Sequence, residues 1–327
     1  MNVRIRHLIA YASSMLSLLV FQVIFYTDLF ARVSDFGQDV IYTLVAEIFC
    51  MGVVPFVVLL IAEKGKVPLL MKRMRYKAPR DKKACLLVSL ALMALITPFT
   101  MAFNALTNLF FMVVGYHRAH PIGTIYLNGG DFVLMLVLTG VLPAFFEEFT
   151  HRGVLLSGLE SRGSELSAVV LSSVMFGLMH TNPAQLIYAI AGGLVFGVAV
   201  VKCDSVIPAL CAHFANNAVS VILEYSTQKQ TAIGVLYEKL FSSGSALSVA
   251  VTFVVLGLAL YGVASILQYA ARKAPKPVSE KKLLGVVTLD AYSPEGKATL
   301  KDNALLYATM IAEGVFVIVL FVWGIVK

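Results

Sequence analysis

The sequence predicts an all-α protein, a polytopic transmembrane helical bundle of about nine spans. Hydrophobic residues make up 59% of its 327 residues and charged residues only 14%, against about 25% charge in an ordinary soluble domain. Mean hydropathy is +0.83. The apolar residues also fall in runs of roughly 20, the length a helix needs to cross a hydrocarbon core of about 30 Å. No separate soluble enzyme domain is expected.

Nine stretches qualify as spans. The first, 8–30, follows Arg4 and Arg6 as a signal peptide would, but its apolar run is long and lacks a small-x-small cleavage site, so an uncleaved anchor is expected. The second is 40–62. The third, 84–114, is about 46 Å long at ~1.5 Å per residue and must tilt, kink at Pro98 or leave the membrane. The fourth, 131–148, is expected to end on Glu147 and Glu148. The fifth, 167–181, is short for a full crossing. The remainder are 184–202, 205–226, 247–271 and 304–326. They group as N-terminal flanking spans with a basic loop (1–83), a central helical core (84–226) and C-terminal flanking spans (227–327) that include a polar loop, 272–303, with a short strand expected around Leu283 to Leu289.

Lysine and arginine set the orientation, because short basic loops stay cytoplasmic. Lys64, Lys66, Lys72, Arg73, Arg75, Lys77, Arg80, Lys82 and Lys83 crowd one loop, and Arg272 to Lys282 is similarly basic. With Arg4 and Arg6 on the same side, the N-terminus is cytoplasmic and nine spans place the C-terminus outside. The net charge of +7 then reflects topology and attraction to lipid headgroups, and a nucleic-acid partner is not called for. Cys50, Cys85, Cys203 and Cys211 contain no Cys-x-x-Cys pair and read as small apolar fillers. His117 and His120 fall in the loop after the third span and are expected to be solvated.

Against this apolar background seven residues in three short constellations stand out: Glu147-Glu148-x-x-x-Arg152, Phe176-x-x-x-His180 and His213-x-x-x-Asn217. An ionisable group within a span costs roughly 2.5 to 3.5 kcal/mol even on an insertion scale, so each needs a partner or a task. Glu148 and Arg152 are one turn apart and share a helix face. Glu147 is rotated by ~100° from Glu148 and cannot meet the same partner, so one carboxylate pairs while its neighbour stays free. His213 and Asn217 both donate hydrogen bonds and share a face; they suit an oxyanion, and equally an interhelical contact. Taken alone, the Glu pair also reads as an interfacial ion pair, His180 as a packing histidine and Phe176 as a lipid-facing or core ring. His151 lies one turn from Glu147, where it can tune its charge. Glu47, Glu224 and Glu313 are single carboxylates without an evident local partner.

In order and spacing, these three motifs, present as EEFTHR, FGLMH and HFANN, resemble the CPBP intramembrane proteases, the family that includes the type II CAAX prenyl endopeptidases. The Gly153 that follows Arg152 also fits. The resemblance covers roughly the third to seventh spans and does not extend to the flanking ones. It implies a helical bundle with a polar cavity open toward the cytoplasmic side, cutting peptide bonds in or next to the membrane. Glu147 with His180 would then deprotonate a water, His213 with Asn217 would stabilise the oxyanion, Arg152 would pair with Glu148, and Phe176 would pack the wall.

No cofactor is expected in this reading. Its alternative is a zinc-dependent version with two histidines and a glutamate around the metal, although His-Glu-x-x-His is absent. Other classes are a proton-coupled transporter, for which no paired halves are found, and a non-catalytic immunity protein that binds peptide in the same cavity. The expected partners are a membrane peptide or protein substrate and the lipid bilayer, in what is best read as a bacterial plasma membrane. Substrate and oligomeric state are not legible.

Overall fold

In hydrocarbon no water satisfies backbone N–H and C=O groups, so apolar spans of this kind close their hydrogen bonds within helices. A computed structural model of the chain describes residues 2–25, 27–30, 32–116, 126–161, 163–275, 280–283, 287–290 and 299–326. His117 and His120 lie outside the described residues. Among them are nine helices of 15 residues or more: α1 (Val3–Phe25), α2 (Asp35–Ala62), α3 (Lys82–Val113), α4 (Gly129–Ser161), α5 (Glu165–Met179), α6 (Pro183–Cys203), α7 (Ile207–Gln228), α8 (Ala246–Lys273) and α9 (Leu300–Val326). Seven are long and apolar enough to cross a membrane, which makes this an integral, multi-pass membrane protein. The two that fall short of that measure are α5, at 15 residues, and the more polar α7. They carry His180, His213 and Asn217.

Local signals explain the helix ends. Asp81 caps α3 by accepting from the Ala84 N–H, Ser164 caps α5, and Asn182 caps α6 just before Pro183 at its first position. Asn128 and Asp131 form a reciprocal capping box at the start of α4. Pro98 lies inside α3 without ending it. In the polar loop two strands, β1 (Glu280–Leu283) and β2 (Val287–Asp290), pair antiparallel with Glu280 opposite Asp290.

The sequence places the end of the fourth span at Glu148, and here the fold differs. The helix runs on to Ser161, so the two glutamates lie in its middle. Charge is a sound signal for a span end only when it is unpaired. Here the charges are matched internally: Glu148 and Arg152 have no exposed surface and pair with each other, so the helix has no cause to stop.

Ionic contacts gather at one end of the bundle. Arg4, at the start of α1, reaches the Leu159 carbonyl near the end of α4 and Asn303 near the start of α9. Arg6 and Arg73 both bind Glu63. Arg75 clasps Glu160 at 2.5 Å and 3.1 Å and Asp204 at 3.3 Å, and Lys202 binds Glu165 at 2.7 Å. Burial works against the Arg75 charge, but Glu160 and Asp204 outweigh it and its pKa is raised. The starts of α1, α5 and α9 and the ends of α2, α4 and α6 therefore meet at the same end, with the Lys/Arg-rich loop folded across it. That is the arrangement the charge pattern predicts for one membrane face.

Candidate active site

The site is built around α4. Its helical turns widen to π geometry at Leu136–Val141 and again at Phe149–Leu155, directly after the glutamates. Such wide turns recur at functional sites because they re-aim side chains by a fraction of a turn. Glu147 is 7% exposed, and Glu148, His151 and Arg152 are fully buried.

Glu148 is the hub of the polar cluster. Its Oε1 accepts from Arg152 Nη1 at 3.1 Å, one turn along the helix, and from His213 Nδ1 at 2.9 Å, across from α7. Arg152 Nη2 donates on to the Gly193 carbonyl of α6 at 3.3 Å. The guanidinium lies over the Phe176 ring at 4.3 Å and near Phe196 at 5.3 Å, a cation–π arrangement that strengthens when desolvated. Phe196 in turn stacks on His213 with centroids 5.5 Å apart. One buried cation thus ties together α4, α5, α6 and α7.

Glu147 points elsewhere, as the ~100° step between neighbours requires. Its Oε2 lies 3.7 Å from His213 Nε2 and has no hydrogen-bond partner among the described residues. The two nitrogens of His213 therefore face two different carboxyls. With Nδ1 donating to Glu148, Nε2 is the nitrogen turned toward Glu147.

His180 caps the end of α5 and donates from Nδ1 to the Phe176 carbonyl at 2.7 Å. That leaves its Nε2 as the acceptor nitrogen. Phe176 touches His151, His180 and His213 edge-on, with centroids 5.2, 5.0 and 5.8 Å away. His151 is bonded through Nδ1 to the Glu147 carbonyl at 3.1 Å and through Nε2 to the Tyr11 hydroxyl at 3.3 Å, so its ring braces the backbone of α4 against α1. Glu147, Glu148, Arg152, Phe176, His180 and His213 come together. Asn217 sits one turn beyond His213 and joins α4 instead, donating to the Thr139 carbonyl in the first π segment at 3.1 Å. Asn216 supports it, donating to Asn217 Oδ1 at 3.3 Å while accepting from Thr100 at 2.5 Å.

Among the described residues no three His, Cys, Asp or Glu side chains are close enough together to hold a metal ion. A cavity of about 170 Å³ between α3 and α8, lined by Leu109, Met112, Ser248 and Thr252 among others, is separate from this cluster and contains none of the seven residues.

The family model described as Type II CAAX prenyl endopeptidase Rce1-like matches residues 129–219. This segment is similar to that family. It runs from the first residue of α4 into α7 and contains all seven motif residues, whereas α3 lies outside it. The chain is also similar to "Putative membrane peptidase YdiL" of Bacillus subtilis (strain 168), 25% identical over 114 residues, or 32% of this chain and 47% of that protein. The chain thus spans just under half the length of this curated relative. No solved structure matches.

Several residues around this cluster escape the motif reading. Phe196 and Thr139 carry no signal in a single sequence, since an aromatic and a hydroxyl in apolar spans are ordinary. Glu47 does carry one, as a carboxylate in a span, and it is buried on α2. Glu224 accepts from Tyr126 at 2.9 Å, and Glu313 is buried with neither oxygen partnered among the described residues.

Proposed function

We propose that this protein is an intramembrane endopeptidase that hydrolyses peptide bonds in or next to the membrane. The observation that carries the reading is the division of labour between adjacent glutamates. Glu148 bonds both Arg152 and His213 through its Oε1, while Glu147, the next residue, turns its unbonded Oε2 toward His213 Nε2 at 3.7 Å. In this reading Glu147, helped by His180, takes a proton from a water whose oxygen attacks the scissile carbonyl. Asn217, beside His213, donates to the resulting oxyanion, exchanging its bond to Thr139 for one to substrate. Glu147 then returns the proton to the departing amine. A positioned base supplies about 10²- to 10⁴-fold and an oxyanion donor about 10²- to 10³-fold.

Substrates in this reading are membrane-associated peptides that enter through a polar cavity opening on the cytoplasmic side, at the end of the bundle where the basic loops gather. The N-terminus is cytoplasmic and the membrane is a bacterial plasma membrane. Prenylated proteins are not required by any residue of the cluster.

The test is cleavage of a quenched fluorescent membrane-peptide library by the purified protein, comparing wild type with Glu147→Ala, each with and without a strong zinc chelator. Activity that disappears in the variant and survives the chelator supports a glutamate-activated water. Loss with chelator as well as in the variant favours the zinc version. Cleavage by Glu147→Ala at the wild-type rate rejects the assignment.

A further inference from the structure

Thr100 and Asn216 are polar side chains within apolar helices that the proposed mechanism leaves unused. Thr100 lies on α3, outside the stretch that matches the family model, and α3 packs along α7. Its hydroxyl is 2.5 Å from Asn216 Oδ1. Asn216 Nδ2 is 3.3 Å from Asn217 Oδ1, and Asn217 Nδ2 is 3.1 Å from the Thr139 carbonyl. Thr100 on α3, the two asparagines on α7 and Thr139 on α4 thus form one hydrogen-bonded chain that passes through the amide of Asn217.

The direction of every bond in this chain follows from its last link. A backbone carbonyl only accepts, so Asn217 must turn Nδ2 toward Thr139 and Oδ1 away from it. That oxygen takes its bond from Asn216 Nδ2, which leaves Asn216 Oδ1 facing Thr100 as an acceptor. Thr100 must then donate. The Ile96 and Thr97 carbonyls also lie 3.0 and 3.1 Å from its hydroxyl, but the Asn216 oxygen is the nearest of the three. The polarity matters once Asn217 gives up Thr139 for substrate. An amide has two ends of nearly the same shape, and only its nitrogen end serves an oxyanion. The bond from Asn216 is the one that persists through the exchange.

We propose that Thr100 and Asn216 are positioning residues of the same site: Thr100 donates to Asn216, Asn216 donates to Asn217 Oδ1, and the amide nitrogen of Asn217 is thereby held toward the oxyanion while its contact with Thr139 is broken. This rests on Asn217 acting as an oxyanion donor. No proton passes along the chain, and each residue exerts its effect through Asn217.

The experiment measures kcat and KM in lipid nanodiscs for one cleaved member of the membrane-peptide library. The proteins are wild type, Thr100→Val, Thr100→Ser, Asn216→Leu, Asn217→Ala and the Asn216→Leu/Asn217→Ala double variant, with a melting curve for each. Asn217→Ala is expected to lose about 10²- to 10³-fold in kcat. Asn216→Leu should lose about 100-fold at nearly constant KM, the scale of misplacing a catalytic group by about 1 Å. Thr100→Val exchanges the hydroxyl for a methyl and should lose about tenfold, whereas Thr100→Ser keeps the donor and should stay within about threefold of wild type, a gap on the scale of one hydrogen bond. If Asn216 acts through Asn217, removing it in the Asn217→Ala background costs nothing further, whereas a general structural defect multiplies the losses. Wild-type kcat in Asn216→Leu or in Thr100→Val, or losses that multiply in the double variant, overturns the proposal. Should Asn216→Leu fail to fold, Thr100→Val against Thr100→Ser decides it, and equal activity in those two overturns it. Wild-type activity in Asn217→Ala overturns the oxyanion assignment instead, so the two failures are told apart.

Discussion

His213 and Glu148, 65 residues apart in sequence, are joined by a 2.9 Å bond between Nδ1 and Oε1 that is shut away from solvent. This bond fixes the ring of His213 and decides which of its nitrogens faces Glu147. Glu148 thereby does for the histidine what an orienting carboxylate does in any acid–base pair: it selects tautomer and direction.

Replacing Glu148 by glutamine should therefore cost more than its size change suggests. Arg152 would be left as a buried cation without its counter-charge, a defect worth about 3 to 5 kcal/mol. Glu148→Gln is expected to unfold at a markedly lower temperature in detergent and to be inactive, and Arg152→Met in the same background should recover part of the stability without the activity. Thermal unfolding of the single and double variants measures both.

Phe176 carries the guanidinium of Arg152 on its face and three histidines on its edge. Phe176→Leu keeps the apolar volume but removes a desolvated cation–π contact of about 2 kcal/mol. The expected outcome is a moderately destabilised protein whose kcat falls by more than its stability loss explains, because His180 and His213 lose a shared wall. Steady-state kinetics beside a melting curve separates the two effects.

Within FGLMH the glycine is a packing requirement. A Cβ at Gly177 would stand 2.4 Å from Ile190 Cγ1 and 2.9 Å from the Leu186 carbonyl, on α6. Gly177→Ala must push α5 away from α6 or twist it, at a cost of about 1 to 3 kcal/mol, and His180 at the end of α5 moves with it. Activity should drop by more than tenfold, with Ile190→Ala restoring a large part of it.

The ion pairs at one end of the bundle make a prediction about sidedness. In a cysteine-free background, a cysteine replacing Lys66 should react with a membrane-impermeant maleimide only after the membrane is opened, and one replacing Ser243 should react in intact cells. Labelling in the reverse pattern would invert the orientation read from the basic loops.

Much of this architecture is legible in the sequence because hydropathy and helix length act locally. The runs that become α3, α6 and α8 announce themselves within one or two residues of their limits, whereas α2 begins five residues before the expected start. The end of α4 does not, since Arg152 looks like an interface residue until its partner on the previous turn is recognised as sufficient. Six of the seven motif residues meet in one cluster, and the 100° step between Glu147 and Glu148 already separates the carboxylate that pairs with Arg152 from the one that does not. What the spacing could not convey is which partners lie across the bundle. Glu148 meeting His213 and Asn217 meeting Thr139 are both contacts between distant segments, set by how helices cross.

The shortness of α5 has a last consequence. Fifteen residues rise about 22 Å, less than the ~30 Å of hydrocarbon, and the turn that follows, with His180, Thr181 at a positive φ of 49° and Asn182, stops short of the far side. Polar backbone at that depth persists only where protein or a wet pocket shields it from lipid. The dead end of α5 is thus a place where the bundle itself must shelter polar backbone, and a hydrolase working at this depth would need an inlet of that kind for its second reactant.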